Sequence, residues 1–191
     1  MIAMEELSWF QRYLGVEAPA LFEGNDKGEI NFHNFATDES ENLYYTGFFV
    51  GFVVVPFLFE RGGVPGWLLG LEAFVPSRPV VLASALPVAY NYDMWNVVTT
   101  QTAFFVTVLI LSVYAWQAWR GGGRRALVLA VLGTVVVTQG VFLALGDRFV
   151  RLHDVTEYKE LLIPVAILLY ALEVGRQVAY RRSGPARVES E

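Results

Sequence analysis

The chain has 191 residues, of which 54% are apolar and 17% charged, with a net charge of −5, two histidines and no cysteine. Soluble domains carry about 45–50% apolar and about 25% charged residues, so this composition excludes a disordered chain and favours an integral membrane protein. The lack of cysteine excludes disulfide scaffolds, Cys-ligated zinc, iron–sulfur clusters and c-type haem attachment. The arginines flank apolar runs, where membrane topology explains them, so no nucleic-acid partner is expected.

Residues 1–42 form a polar segment that carries the densest group of candidate site residues. Glu5 and Glu6 open a short helical pattern, and the polar–apolar alternation over 29–34 places His33 on a polar face. Two carboxylates and an imidazole can act as catalytic acid and base or ligate a divalent metal. Alternatively, buried polar side chains hydrogen-bond one another here and form a structural cap.

The first predicted membrane span covers residues 43–59, which is at the short end for a crossing. Pro56 predicts a kink near its end. Two apolar stretches follow over 64–92, and prolines at 76 and 79 divide them. Neither stretch is long enough to span, so the region is predicted to form interfacial helices, a re-entrant pair or one broken crossing.

Longer apolar runs predict three further spans. They cover residues 94–119, 126–146 and 161–180, and a polar tail of 181–191 follows. We therefore predict an all-α fold, a polytopic transmembrane bundle of about four spans over 43–180 with a polar N-terminal cap segment.

The distribution of lysine and arginine predicts the orientation. Four crossings or five both place nine of these residues in the cytoplasm and five outside, so the positive-inside rule does not distinguish the two arrangements. In both, the turn at 120–125 and the C-terminus are cytoplasmic, and 147–160 lies outside. The side of the N-terminal segment stays open.

Small residues four apart predict close helix contacts. Gly47 and Gly51 lie in the first span, and Gly140 and Ala144 lie in the third. Such spacing lets two helix backbones approach closely in lipid. The neighbour is either another helix of this chain or a helix of another subunit.

Two ionisable residues near the fourth span are further candidates. Glu173 lies at membrane depth, where it is a functional candidate or pairs with Arg176 or Gln177 on the same helix face. His153 is either a solvated loop residue or an axial ligand for haem or a chlorin. No cofactor-binding motif accompanies these residues. The candidate cofactors are haem, a chlorin and a divalent metal.

A specific sequence pattern lies in the N-terminal segment. Residues 5–12, EELSWFQR, and 28–34, GEINFHN, resemble uncharacterised bacterial multi-pass membrane proteins with the pattern E-E-[IL]-S-W-x-Q-R followed by G-E-x-N-[LF]-H-N. Phe10 stands at the position x, where those proteins usually have glycine. The apolar helix that leads into the E-E pair in those proteins is almost absent, so the chain resembles a version shortened at the N-terminus. The resemblance implies the bacterial cytoplasmic (inner) membrane and brings no known reaction.

Two hypotheses of function follow. The first is a non-catalytic accessory subunit of a larger membrane complex, such as a photosynthetic or respiratory one, with other membrane subunits and lipids as its partners. The alternative is a small membrane-embedded enzyme that acts on a lipid or isoprenoid-type substrate through Glu5, Glu6 and His33.

Overall fold

The computed structural model describes residues 11–22, 24, 30, 37–62, 65–89, 97–121, 125–145 and 153–182. The chain divides into two compact units, Met1–Phe48 and Phe49–Glu191, and each is described by itself. All regular elements of the described residues are helices, which confirms the all-α prediction.

The described part of the first unit begins with a short helix, α1, over Gln11–Leu14. A 3-10 turn follows at Ala20–Phe22. The backbone N–H of Ile30 donates a hydrogen bond of 2.7 Å to Oε1 of Gln11. Gln11 and Ile30 belong to the two sequence segments, 5–12 and 28–34, that carry the N-terminal pattern.

Helix α2 consists of Thr37–Phe49, a π-helical turn at Val50–Val54, and Val55–Glu60. The π-helical turn comes just before Pro56, where the sequence predicts a kink. Proline has no N–H to donate and its ring clashes with the carbonyl four residues earlier, so the regular hydrogen-bond pattern is interrupted there. Gly62 ends the helix with a φ of +65°, a conformation that glycine adopts without strain.

The described residues form four further α-helices. They are α3 at Arg78–Ala89, α4 at Val97–Gly121, α5 at Arg125–Leu145 and α6 at His153–Arg182. Among the described residues, four helices are long and apolar enough to cross a membrane, at Asn42–Glu60, Val98–Gly121, Arg125–Leu145 and Leu161–Ala179. The prediction of about four spans is confirmed.

The region 64–92 has two different halves. Gly66–Phe74 is a 3-10 helix on the surface, where the Trp67 side chain is 79% exposed. Helix α3 instead lies in the core, and it contacts the π-helical turn of α2 as well as α4, α5 and α6. Its residues Val81 and Ala85 are fully buried, because other helices surround it on all sides.

Hydrogen bonds fix the directions of the helices in the second unit. Arg78, which begins α3, bonds to Glu60 at the end of α2 and to Gln117 near the end of α4. The amides of Gln139, late in α5, and Gln101, early in α4, lie 3.5 Å apart. Since α4 starts at the end of the bundle opposite Arg78, Arg78 and Val97 lie at opposite ends of the bundle. Helix α3, with 12 residues, covers about 18 Å of the distance between them.

Candidate functional site

The most connected polar group of the described residues is the Arg78 cluster, made of Glu60, Arg78, Tyr114 and Gln117. Arg78 Nη2 donates to Glu60 Oε2 at 2.7 Å and to Gln117 Oε1 at 2.9 Å. Its Nε lies 3.4 Å from Glu60 Oε1, and its guanidinium carbon is 4.5 Å from the Tyr114 ring centroid. Two acceptors and an aromatic face therefore hold the cation in one orientation.

A second polar group, the Glu173 cluster, joins α6 to the residue before α3. The Ser77 backbone N–H donates to Glu173 Oε1 at 3.2 Å, and the Ser77 hydroxyl donates to Oε2. Gln177 Nε2 also lies 3.4 Å from Oε1, so the predicted contact with Gln177 is present. The tertiary contact to Ser77 was not predicted.

The Glu173 carboxylate lies where α3 begins, so its negative charge is next to the positive end of that helix dipole. One turn earlier on α6, the Tyr170 hydroxyl donates to the carbonyl of Phe74 at 2.6 Å. Two side chains of α6 thus hold the segment 74–77. This arrangement positions the start of α3.

We expect Glu173→Ala to destabilise the protein by about 1 kcal/mol, because the Ser77 N–H loses its acceptor. Glu173→Gln should have a smaller effect, because the amide oxygen still accepts that bond. Glu72→Ala serves as the control, since Glu72 is exposed. The measurement is the unfolding midpoint in detergent, and equal midpoints for Glu173→Ala and the control would contradict this role.

Polar side chains also line the interior of the bundle. Thr100, Thr107, Ser84 and Gln139 are buried, at 7%, 0%, 0% and 3% exposure. The hydroxyls of Ser84 and Thr107 have no hydrogen-bond partner in the described part of the chain. Elsewhere on α4 and α5, hydroxyls bond the carbonyl four residues earlier, as at Thr102, Ser112 and Thr138, a common arrangement in membrane helices.

The residues of the predicted N-terminal site, Glu5, Glu6 and His33, lie outside the described residues. His153 begins α6, and its side chain is also outside the description. Within the ranges that the structure describes, no group of three or more His, Asp or Glu side chains is placed to hold a metal ion. The enzyme and cofactor hypotheses for these residues stay predictions.

The predicted packing residues face open space. A Cβ atom placed on Gly47, Gly51 or Gly140 would have no neighbouring atom within 4 Å. Ala144 is exposed. Among the described residues, these positions do not contact another helix of the same chain, which was one of the two predicted neighbours.

Nothing in the sequence groups Glu60, Arg78 and Gln117. They are separated by 18 and 39 positions along the chain, and no motif links them. The available signals were a charged residue at the end of the first span and an arginine between two prolines. Only the fold shows that these positions meet.

No family model, curated protein or solved structure matches this chain. The fold itself defines the class. Because the described part of the chain is helical and includes four helices long and apolar enough to cross a membrane, the chain is a multi-pass membrane protein.

Proposed function

We propose that this protein is a non-catalytic subunit of a larger integral membrane complex. The observation that carries the proposal is the outer face of α5, which is built of small residues along the length of the helix. Small residues facing lipid gain little from packing, whereas against another helix they allow the backbones to approach closely.

Helical geometry separates the two faces of α5. The buried residues, at successive steps of three or four, are Val128, Val131, Val135, Gln139 and Phe142. At about 100° per residue, the opposite face carries five small residues, all exposed: Ala126, Ala130, Gly133, Gly140 and Ala144. Val137, also exposed, lies among them. The spacing of the small residues matches the pattern of helix–helix contacts, and the face points away from the other described helices.

Two other helices also leave most of their surface uncovered. Only 17% of the apolar window in Asn42–Glu60 and 11% of that in Leu161–Ala179 is buried inside the protein. Gly47 and Gly51 lie in the first of these windows, with no atom near their Cβ positions. Partner helices and lipids are the occupants that we propose for these surfaces.

The proposal places the protein in the bacterial cytoplasmic membrane with its C-terminus in the cytoplasm. The end of the bundle that holds Arg78 is then cytoplasmic, together with the turn between α4 and α5. Counting the return along α3 as a crossing puts nine of the fourteen lysines and arginines on this side, in agreement with the positive-inside rule.

The proposal is tested by extracting the protein under mild conditions and identifying its companions by native mass measurement. We expect a particle heavier than the 21.4 kDa chain that contains other membrane subunits. In the double variant Gly140→Leu/Ala144→Leu, association should weaken by about 1–2 kcal/mol, because larger side chains separate the helices. The same change at Gly47 and Gly51 tests the face of α2.

Val136→Leu is the matched control, because Val136 is exposed but lies about 80° from the centre of the small-residue face. Its association should equal that of the unchanged protein. Recovery of the unchanged chain as a free monomer would overturn the proposal, and so would equal loss of partners in the control and the double variant.

A further inference from the structure

A cleft of about 330 Å³ opens between α3, α4 and α5 at the end of the bundle that holds Arg78. Its polar end is formed by Arg78 and Gln117, and its walls include Leu82, Leu127 and Val128. A cation at one end and aliphatic walls along the sides suit an amphiphile with a negatively charged head.

The donors of Arg78 are only partly used. Arginine has five N–H groups. Three of them are directed to Glu60 and Gln117 through Nε and Nη2, and the two on Nη1 have no acceptor among the described residues. The guanidinium is already held in place by these two partners and by Tyr114, so a phosphate oxygen that accepts from Nη1 would not have to order the side chain.

Further cations lie at the same end of the bundle as the cleft. Arg120 lies over the Trp116 ring at 4.4 Å, and Arg125 lies 5.6 Å from the Trp119 ring centroid. Both tryptophan side chains are more than half exposed, as is usual at a membrane interface. Glu60 offsets the charge of Arg78, and Arg120 and Arg125 add two positive charges at this end of the bundle.

We propose that this cleft binds an anionic phospholipid. The phosphate accepts hydrogen bonds from Nη1 of Arg78, and an acyl chain lies along Leu82, Leu127 and Val128. Basic pockets between helices at the cytoplasmic face bind anionic headgroups in this way. The lipid site goes beyond the subunit proposal and does not depend on it.

The test is native mass spectrometry of the purified full chain titrated with dioleoyl phosphatidylglycerol or dioleoyl phosphatidylcholine. Both lipids carry a phosphate, but the choline group of phosphatidylcholine cancels its charge. We expect phosphatidylglycerol, whose headgroup keeps a net negative charge, to be retained on the order of fivefold more tightly, as the attraction of one arginine near the membrane surface provides. Arg78→Gln should abolish this preference. Gly121→Leu should lower it as well, because leucine occupies part of the cleft while every arginine is kept.

Arg61→Gln is the control, because Arg61 lies at the same end of the bundle over the Phe57 ring and does not line the cleft. Its preference should be unchanged. Equal retention of the two lipids would overturn the proposal. A preference that survives in both Arg78→Gln and Gly121→Leu would also overturn it, as would equally tight binding of glycerol phosphate, which has no acyl chain. Because Gly121→Leu leaves the Arg78 cluster intact, the test does not depend on Arg78→Gln folding.

Discussion

Tyr114→Ala is expected to destabilise the protein by about 3–5 kcal/mol, the cost typical of replacing a buried aromatic ring with a methyl group. Tyr114 on α4 is fully buried. Its ring centroid is 5.9 Å from that of Phe57 on α2, and the Arg78 guanidinium lies over its face. The truncation therefore creates a cavity where α2, α3 and α4 meet. The measurement is the unfolding midpoint in a denaturant titration of the detergent-solubilised protein.

Phe105→Ala is the control for this prediction, because it removes a similar ring from the same helix at a side chain that is 64% exposed. We expect it to change the midpoint far less. Tyr114→Phe, which keeps the ring, should retain most of the stability. A Tyr114→Ala protein as stable as the Phe105→Ala protein would show that Tyr114 is not part of a packed core.

The second large expected effect concerns the topology. In this cysteine-free chain, a single cysteine at Gly70 should react with an impermeant maleimide from the same side as a cysteine at Gly122. A cysteine at Thr156 should react from the opposite side. The reason is that Arg78 bonds to the ends of α2 and α4 and follows Gly70 closely in the chain. Gly70 is therefore expected at the same end of the bundle as Arg78, before the chain returns to the start of α4.

The four-crossing arrangement gives a different result, because it places the whole of 64–92 on the outer side together with Thr156. Gly70 suits the experiment, since it is exposed and a Cβ there meets no atom within 4 Å. Labelling of the Gly70 and Thr156 variants from one side would contradict the five-pass path. Labelling of Gly122 and Thr156 from one side would contradict the orientation of α5.

The sequence by itself determined the class of the protein and the positions of its spans. The predicted ranges 94–119 and 126–146 lie close to the observed candidate spans Val98–Gly121 and Arg125–Leu145. This agreement has a local cause, because about twenty consecutive apolar residues satisfy their backbone hydrogen bonds only as a helix when they cross lipid. The position of the distortion near Pro56 was predictable for the same reason, since proline acts on its own helix.

Only the tertiary structure decided what the region 64–92 does. Both of its halves are apolar, yet Gly66–Phe74 lies on the surface and Arg78–Ala89 lies in the core. Periodicity reports which residues share a face of a helix, but the side on which a neighbouring helix packs depends on distant parts of the chain. The contact between Glu60, Arg78 and Gln117 depends on that packing, and so does the outward direction of the small-residue face of α5. The local sequence does not report either arrangement.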